Sequence, residues 1–238
     1  MSSKLHNAFN LIRNGHFMIF LNEIRKRIYS RSVSIGLQRD MNDEFEAPSA
    51  KIEFQIRPLK NEDVDFLLDT SSDTTINPRI IASQKSMVNA NIQTCYVAVT
   101  SSDKPCFMQW LIGYDDKEEL EKHSRGIFPP IKKHEALLEG AYCNPDYRGL
   151  GIMQAAISLI VAENAPEIDA RKIITFIDIT NIPSLKGLQR SGFEPYLMRK
   201  CQSFLFYNTI SFYPVSDELC DFFYKVTESD RIKTGINQ

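Results

Sequence analysis

The sequence predicts an α+β domain built on a mixed, mostly antiparallel sheet. Short runs that alternate apolar and polar residues come in neighbouring pairs through the first half. In the second half a strand-like run leads into a long apolar helical pattern and then into another strand-like run. Antiparallel pairs followed by a βαβ unit read as one α+β domain flanked by helices.

The elements follow in order. Ile52, Phe54 and Ile56 alternate with charged or polar residues and predict a strand. Asn61 is placed to cap a helix carrying Val64, Leu67 and Leu68, and residues 78–89 form a second helical stretch. Thr94–Thr100 and Pro105–Tyr114 are two strands, joined by a turn short enough for a β-hairpin. Residues 115–133 are charged and contain Pro129 and Pro130, so they are expected to form a loop. A strand from His134 to Asn144 precedes a helix from Gly149 to Asn164. Arg171–Ile179 is the next strand, and Ile182–Ser191 a short helix stopped by Gly192. Two more strands are expected at about 193–200 and 202–213, before an amphipathic and then polar end.

Composition narrows the classes. With 238 residues and 43% hydrophobic content, the chain can bury a full core. A net charge of −2 argues against nucleic-acid binding by bulk electrostatics. Five cysteines without C-x-x-C spacing, and four histidines without ligand spacing, point to free thiols in a reducing compartment and to no metal. The expected compartment is the cytoplasm.

The first 40 residues differ from the rest. Seven Lys/Arg against two Asp/Glu give them +5, which leaves −7 for the remainder. Phe17, Leu21, Ile24 and Ile28 fall on one helical face. Residues 1–50 are therefore read as a basic amphipathic helical extension and linker, and residues 51–238 as the main domain. Three occupants of the apolar stripe stay open: the chain's own domain, a partner, or an anionic surface. An organelle transit peptide is the minor alternative for this Arg- and Ser-rich segment, and an oligomer is compatible with the sequence.

The sharpest motif is Asn144-Pro145-Asp146-Tyr147-Arg148-Gly149-Leu150-Gly151-Ile152-Met153. It lies between a predicted strand and a predicted apolar helix. Glycines let the backbone turn tightly, and the unpaired amides at a helix start favour a phosphate. A dinucleotide-binding fingerprint is set aside, because its third glycine position is occupied by Gln154.

Arg148-x-x-Gly151-x-Met153, preceded by Pro145-Asp146-Tyr147, resembles the R/Q-x-x-G-x-G/A motif of the GNAT superfamily of acyl-CoA-dependent N-acyltransferases. Asn181-Ile-Pro-Ser184 followed by Ser191-Gly192-Phe193 resembles the same family's N-x-x-A/S…G-F element. The likeness covers roughly residues 52–210. It implies a sheet splayed between the family's fourth and fifth strands, with acetyl-CoA or another acyl-CoA as co-substrate and an amine, small molecule or protein, as acceptor. The pantetheine arm would lie along backbone at Ala141, Tyr142 and Cys143. The pyrophosphate would rest on Arg148, Gly149, Leu150, Gly151, Ile152 and Met153, with Asn181 holding the arm or capping a helix. Glu139 is the first candidate for general base and Glu135 the second; the competing reading is a cleft glutamate that only attracts the acceptor's charge. Two positions depart from the pattern. Met153 stands where a small residue is usual, and Leu188 where a tyrosine would protonate the leaving thiolate. Tyr142 and Tyr196 are possible substitutes. A catalytically degenerate domain that binds acyl-CoA as a sensor or scaffold is the alternative.

Overall fold

The computed structural model describes residues 29–68, 78–90, 92–204 and 207–228. One sheet of eight strands organises them: β1 (Tyr29–Asp40), β2 (Phe54–Pro58), β3 (Cys95–Thr100), β4 (Pro105–Ile112), β5 (Glu135–Cys143), β6 (Lys172–Asp178), β7 (Glu194–Phe204) and β8 (Tyr207–Pro214). Their order across the sheet is β2-β3-β4-β5-β6-β1-β7-β8. Six helices surround it: α1 (Asn61–Leu68), α2 (Pro78–Val88), α3 (Lys117–Ser124), α4 (Ile152–Asn164), α5 (Ile182–Arg190) and α6 (Asp217–Glu228).

Two apolar layers cover the sheet. Ile152, Ala156, Ile160, Leu185, Leu188 and Phe223 belong to the cluster on the α4–α5–α6 face. Leu67, Leu68, Ile81, Met87 and Leu120 belong to the cluster on the α1–α2–α3 face, with Trp110 and Phe176. Strand β4 is buried along its whole length, as expected of a central strand packed on both sides.

All strand pairs are antiparallel except β5–β6, among the described residues. That parallel pair is short. Its register runs from Glu135 opposite Lys172 to Leu137 opposite Ile174 and stops there, although both strands continue. The sheet therefore opens beyond Leu137.

A bulge sits at the same place. Met108 faces Tyr142 and Trp110 faces Glu139, so Gly140 and Ala141 together oppose Gln109. Such an extra residue bends and twists its strand. Gly140 has φ +68°, and a Cβ there would lie 2.6 Å from Trp110 Cε3. Glycine meets both demands at once. The carbonyl oxygen of Glu139 instead accepts a hydrogen bond of 2.7 Å from Gln109 Nε2.

The structure corrects the sequence reading at two places. Residues 29–40, assigned to a helical extension, form β1 in the interior of the sheet. β1 bonds β6 on one side and β7 on the other. The period-two signal is present in Val33, Ile35 and Leu37, and Ile35 and Leu37 are fully buried. The segment up to Ile28, with the apolar stripe, lies outside the described residues. Residues 41–53 form an irregular connection between β1 and β2. The second correction is α3, where a loop was expected. Leu120 turns inward, the acidic first turn and basic last turn suit the helix dipole, and Arg125 ends it in the left-handed conformation. The charges that suggested a loop are its solvent face.

A chain begun at residue 46 lacks β1 and leaves β6 and β7 without their shared neighbour. Loss of cooperative thermal unfolding is expected. A native-like Tm in that truncated chain would show that the sheet closes without β1.

Candidate active site

A channel of about 180 Å³ passes through the opened sheet. From the α4–α5 face it is lined by Met153, Ile157, Ser184 and Leu188, and from the opposite face by Gln84 and Phe176. Glu139, Gly140, Ala141 and Asn181 border it as well. The parallel ladder has already ended here, so this edge of β5 is left free to pair with something other than β6.

The phosphate turn forms as the glycines require. Gly149 and Gly151 both have φ +76°, a conformation that costs other residues strain. A Cβ at Gly149 would meet nothing within 4 Å, whereas one at Gly151 would come 3.3 Å from the Ser49 carbonyl oxygen. Lys51 N donates to Leu150 O at 2.8 Å, so the connection after β1 braces the turn from behind. Gly151 is the N-cap of α4 and supplies no side-chain cap. The first amides of α4, Ile152 and Met153 among them, have no partner within the helix. An uncapped, glycine-lined helix start is a chemically suitable cradle for a pyrophosphate. Arg148 is exposed, and its Nε donates to Cys143 O at 3.3 Å, which fixes the loop against β5.

Helix α5 is built differently. Asn181 Oδ1 accepts from Ser184 N at 3.4 Å and Pro183 occupies the first turn. The side chain is thus a cap, and it also borders the channel. Met153 leans across toward α5: a Cβ on Gly187 would lie 2.9 Å from its terminal methyl. The long side chain is accommodated because its neighbour on α5 is a glycine.

Glu139 faces the channel and is half-buried. Desolvation raises its pKa from the ordinary carboxylate value, opposed by the Gly140 amide and the Arg199 guanidinium. Arg199 is itself desolvated, which lowers its pKa, while the nearby Cys201, Glu139 and Asp178 pull the other way. Its Nη1 donates to Ile127 O at 2.9 Å and its Nη2 to Ser34 Oγ at 3.0 Å. The guanidinium carbon lies 5.2 Å from the centre of the Phe176 ring. Arg199 therefore ties loop 125–131 to β1 and β7 while placing a cation near Glu139.

Glu135 is not brought to the channel. It lies in the paired part of β5, where its carboxylate accepts from Lys132 N at 3.1 Å. Leu188 does line the channel, at the position where the family pattern puts a tyrosine. Tyr142 is buried in the layer beneath α1 and α2, and Tyr196 stacks on Phe176 at 6.0 Å between ring centres. Neither borders the channel. The sequence reading missed Gln84, Gln109, Thr175 and Arg199; they come from α2, β4, β6 and β7, and only the assembled sheet gathers them around Glu139.

With this geometry in place, the solved structures that resemble the chain become informative. The glucosamine N-acetyltransferase region of a fungal multi-domain β-N-acetylglucosaminidase superposes with a TM-score of 0.51. Identity is 12%, over 81% of this chain and 22% of that one. The fold is that of the GNAT superfamily. A GNAT-family acetyltransferase from Colwellia psychrerythraea is also similar, with a TM-score of 0.48 and 13% identity over 73% of this chain and 56% of that one. The chain thus spans about half the length of the latter and about a fifth of the former. No protein-family model matches the sequence, and no curated protein matches it. Among the described residues, no group of acidic, cysteine or histidine side chains is arranged to hold a metal, and no helix is long and apolar enough to cross a membrane.

The Glu139 carboxyl group should titrate above the ordinary glutamate value of ~4.3. Replacing Arg199 with Met removes an attractive cation and should raise the midpoint further. Side-chain carbon NMR read against pH checks both; an unmoved midpoint in the variant would remove Arg199 from the electrostatics of the site.

Proposed function

We infer that this chain is an acyl-CoA-dependent N-acyltransferase, transferring an acetyl or similar acyl group to an amine by direct attack on the thioester. One observation carries the reading. The β5–β6 ladder opens beside an uncapped glycine-turn helix, and the channel so formed leads past a desolvated glutamate. A GNAT fold alone would not argue chemistry, since one fold serves many functions.

Bound acyl-CoA supplies an activated thioester carbonyl. The chain's own residues supply position and proton transfer. The turn at Arg148–Met153 fits the pyrophosphate, and the free edge of β5 at Ala141–Cys143 offers backbone groups to the pantetheine amides. An amide on that edge is also suited to the oxyanion that develops as the amine attacks. An aliphatic amine with a pKa of ~10.4 is mostly protonated at neutral pH and must lose a proton to react. That first proton goes to water, and as the C–N bond forms Glu139 accepts the second, its raised pKa making the carboxylate a stronger base than an exposed one. A C–N bond forms, the C–S bond breaks, and water protonates the departing thiolate because Leu188 has no proton to give. Thiols have a pKa of ~8.5, so the thiolate is a tolerable leaving group.

A second reading, an acyl-CoA-binding domain without turnover, is favoured by Met153 and Leu188. Both place apolar bulk along the channel where the family pattern has a small residue and a proton donor.

Two variants separate these. Gly149→Asn tolerates the left-handed backbone and adds a side chain where the turn is open. It should weaken acetyl-CoA binding by calorimetric titration at least tenfold with Tm little changed; unaltered affinity would move the phosphate site elsewhere. Glu139→Gln should lower amine-dependent thiol release by roughly 10²–10⁴ while leaving acetyl-CoA affinity intact. Parent-level turnover in that variant would dismiss Glu139 as base, and no thiol release by the parent with any amine would favour the binding-only reading.

A further inference from the structure

Gln84 stands out on the acceptor side of the channel. It projects from α2, outside both family motifs, and is only 5% exposed. Its side chain lines the channel together with Glu139 and Gly140. Its Oε1 is buried and has no hydrogen-bond partner. That oxygen lies 3.4 Å from where a Cβ on Gly140 would sit, next in sequence to Glu139. Nearby, Trp110 turns the carbon edge of its six-membered ring toward Gly140 and offers no donor there. A buried acceptor left without a partner is destabilising. It is retained here beside the one carboxylate of the channel.

We propose that Gln84 binds the acceptor nitrogen through its amide oxygen and so sets the preference for a primary over a secondary amine. The proposal rests on the acyltransferase reading above. It follows from counting protons. A neutral primary amine that points its lone pair at the thioester carbon carries two N–H bonds. Glu139 takes one of them as a proton. The other needs an acceptor, and the buried, unpartnered Gln84 amide oxygen is the one at hand. After the C–N bond forms, the nitrogen still carries both protons until Glu139 removes one, so the pairing holds through the step. A secondary amine has a single N–H bond, gives it to Glu139, and leaves Gln84 orphaned while its extra alkyl group crowds Gly140. The small channel volume fits the same preference, since it admits a narrow alkyl arm more readily than a branched nitrogen.

The test uses the full chain, acetyl-CoA and a panel of primary alkylamines, each with its N-methyl counterpart, read by thiol release. The parent protein should favour each primary amine over its N-methyl partner. Gln84→Met keeps the length of the side chain and removes the acceptor. It should raise the amine KM about tenfold or more, leave the acetyl-CoA KM unchanged, and shrink the preference for the primary amine. Gln84→Glu keeps an acceptor and should retain that preference. An unchanged amine KM and unchanged preference in Gln84→Met would overturn the proposal. So would a Gln84→Glu protein as impaired as Gln84→Met, because the group in use would then be the amide N–H. If the parent binds acetyl-CoA yet releases no thiol with any amine, the acyltransferase reading itself falls, and this proposal with it.

Discussion

The early end of the β5–β6 ladder is the constraint on which the rest of the molecule depends. Three residue pairs join the strands, from Glu135–Lys172 to Leu137–Ile174, before they part. The cause lies in the next residues of β5. Gly140 and Ala141 share one partner on β4, and the strand that carries them bends. The bulge also changes which side chains face inward. Glu135, Leu137 and Glu139 lie on the α1–α2 face before it; after it, Tyr142 takes that face. Without the extra residue, the alternation of a regular strand would put Tyr142 on the α4–α5 side. One residue therefore opens the sheet, sets Glu139 at the gap and keeps Tyr142 in the core. Gln109 makes this tolerable by bonding the Glu139 carbonyl that the disrupted ladder would leave short of a donor.

An opening in a sheet weakens it unless the flanks are held. Strand β1 does this for β6, pairing with it from Ser34 to Asp40. β6 thus loses a partner on the channel side only beyond Ile174 and keeps a full ladder on the other side. Gly36 contributes by its lack of a side chain: a Cβ there would fall 2.8 Å from the Phe176 ring. Phe176, which lines the channel, can then pack between Tyr196, Phe128 and Phe212. The N-terminal strand, far in sequence from the phosphate turn, is part of what fixes the channel wall.

Much of this was legible in the sequence, and the failures have physical causes. The second half of the chain reads directly, because each element there combines a strong period with punctuation: Gly149 and Gly151 before α4, Asn181 and Pro183 before α5, Gly192 after it. The turn at Arg148–Met153 followed from those signals, whereas Glu139 was singled out by the family resemblance alone. Strand β1 was missed although Val33, Ile35 and Leu37 alternate with Ser32, Ser34 and Gly36, because the basic charge around it suggested an appendage. Helix α3 was hidden by its charge, which belongs to its solvent face. Arg199 and Gln84 were out of reach for another reason. Neither sits in a local pattern that marks it, and each reaches the channel region only through pairings between distant segments, Ser34 with Arg199 and α2 with the bulge. Local periodicity reports elements; it does not report which of their side chains meet across a sheet.

The two helices that flank the channel show how such a site divides its labour. α5 closes its own N-terminus with Asn181 and therefore has less dipole to offer a ligand. α4 has a glycine at the equivalent place and leaves its amides available. Negative charge is thus favoured at one helix start and not equally at its neighbour. The opposite face repeats the asymmetry with side chains. Arg199 spends two of its N–H donors on neutral oxygens and keeps its charge uncompensated by direct contact, close enough to restrain the pKa of Glu139 without sealing the carboxylate in an ion pair. A direct ion pair with arginine would lower the carboxyl pKa, and loss of the nearby cation would raise it. The hydrogen bonds to Ile127 and Ser34 hold Arg199 between those two arrangements.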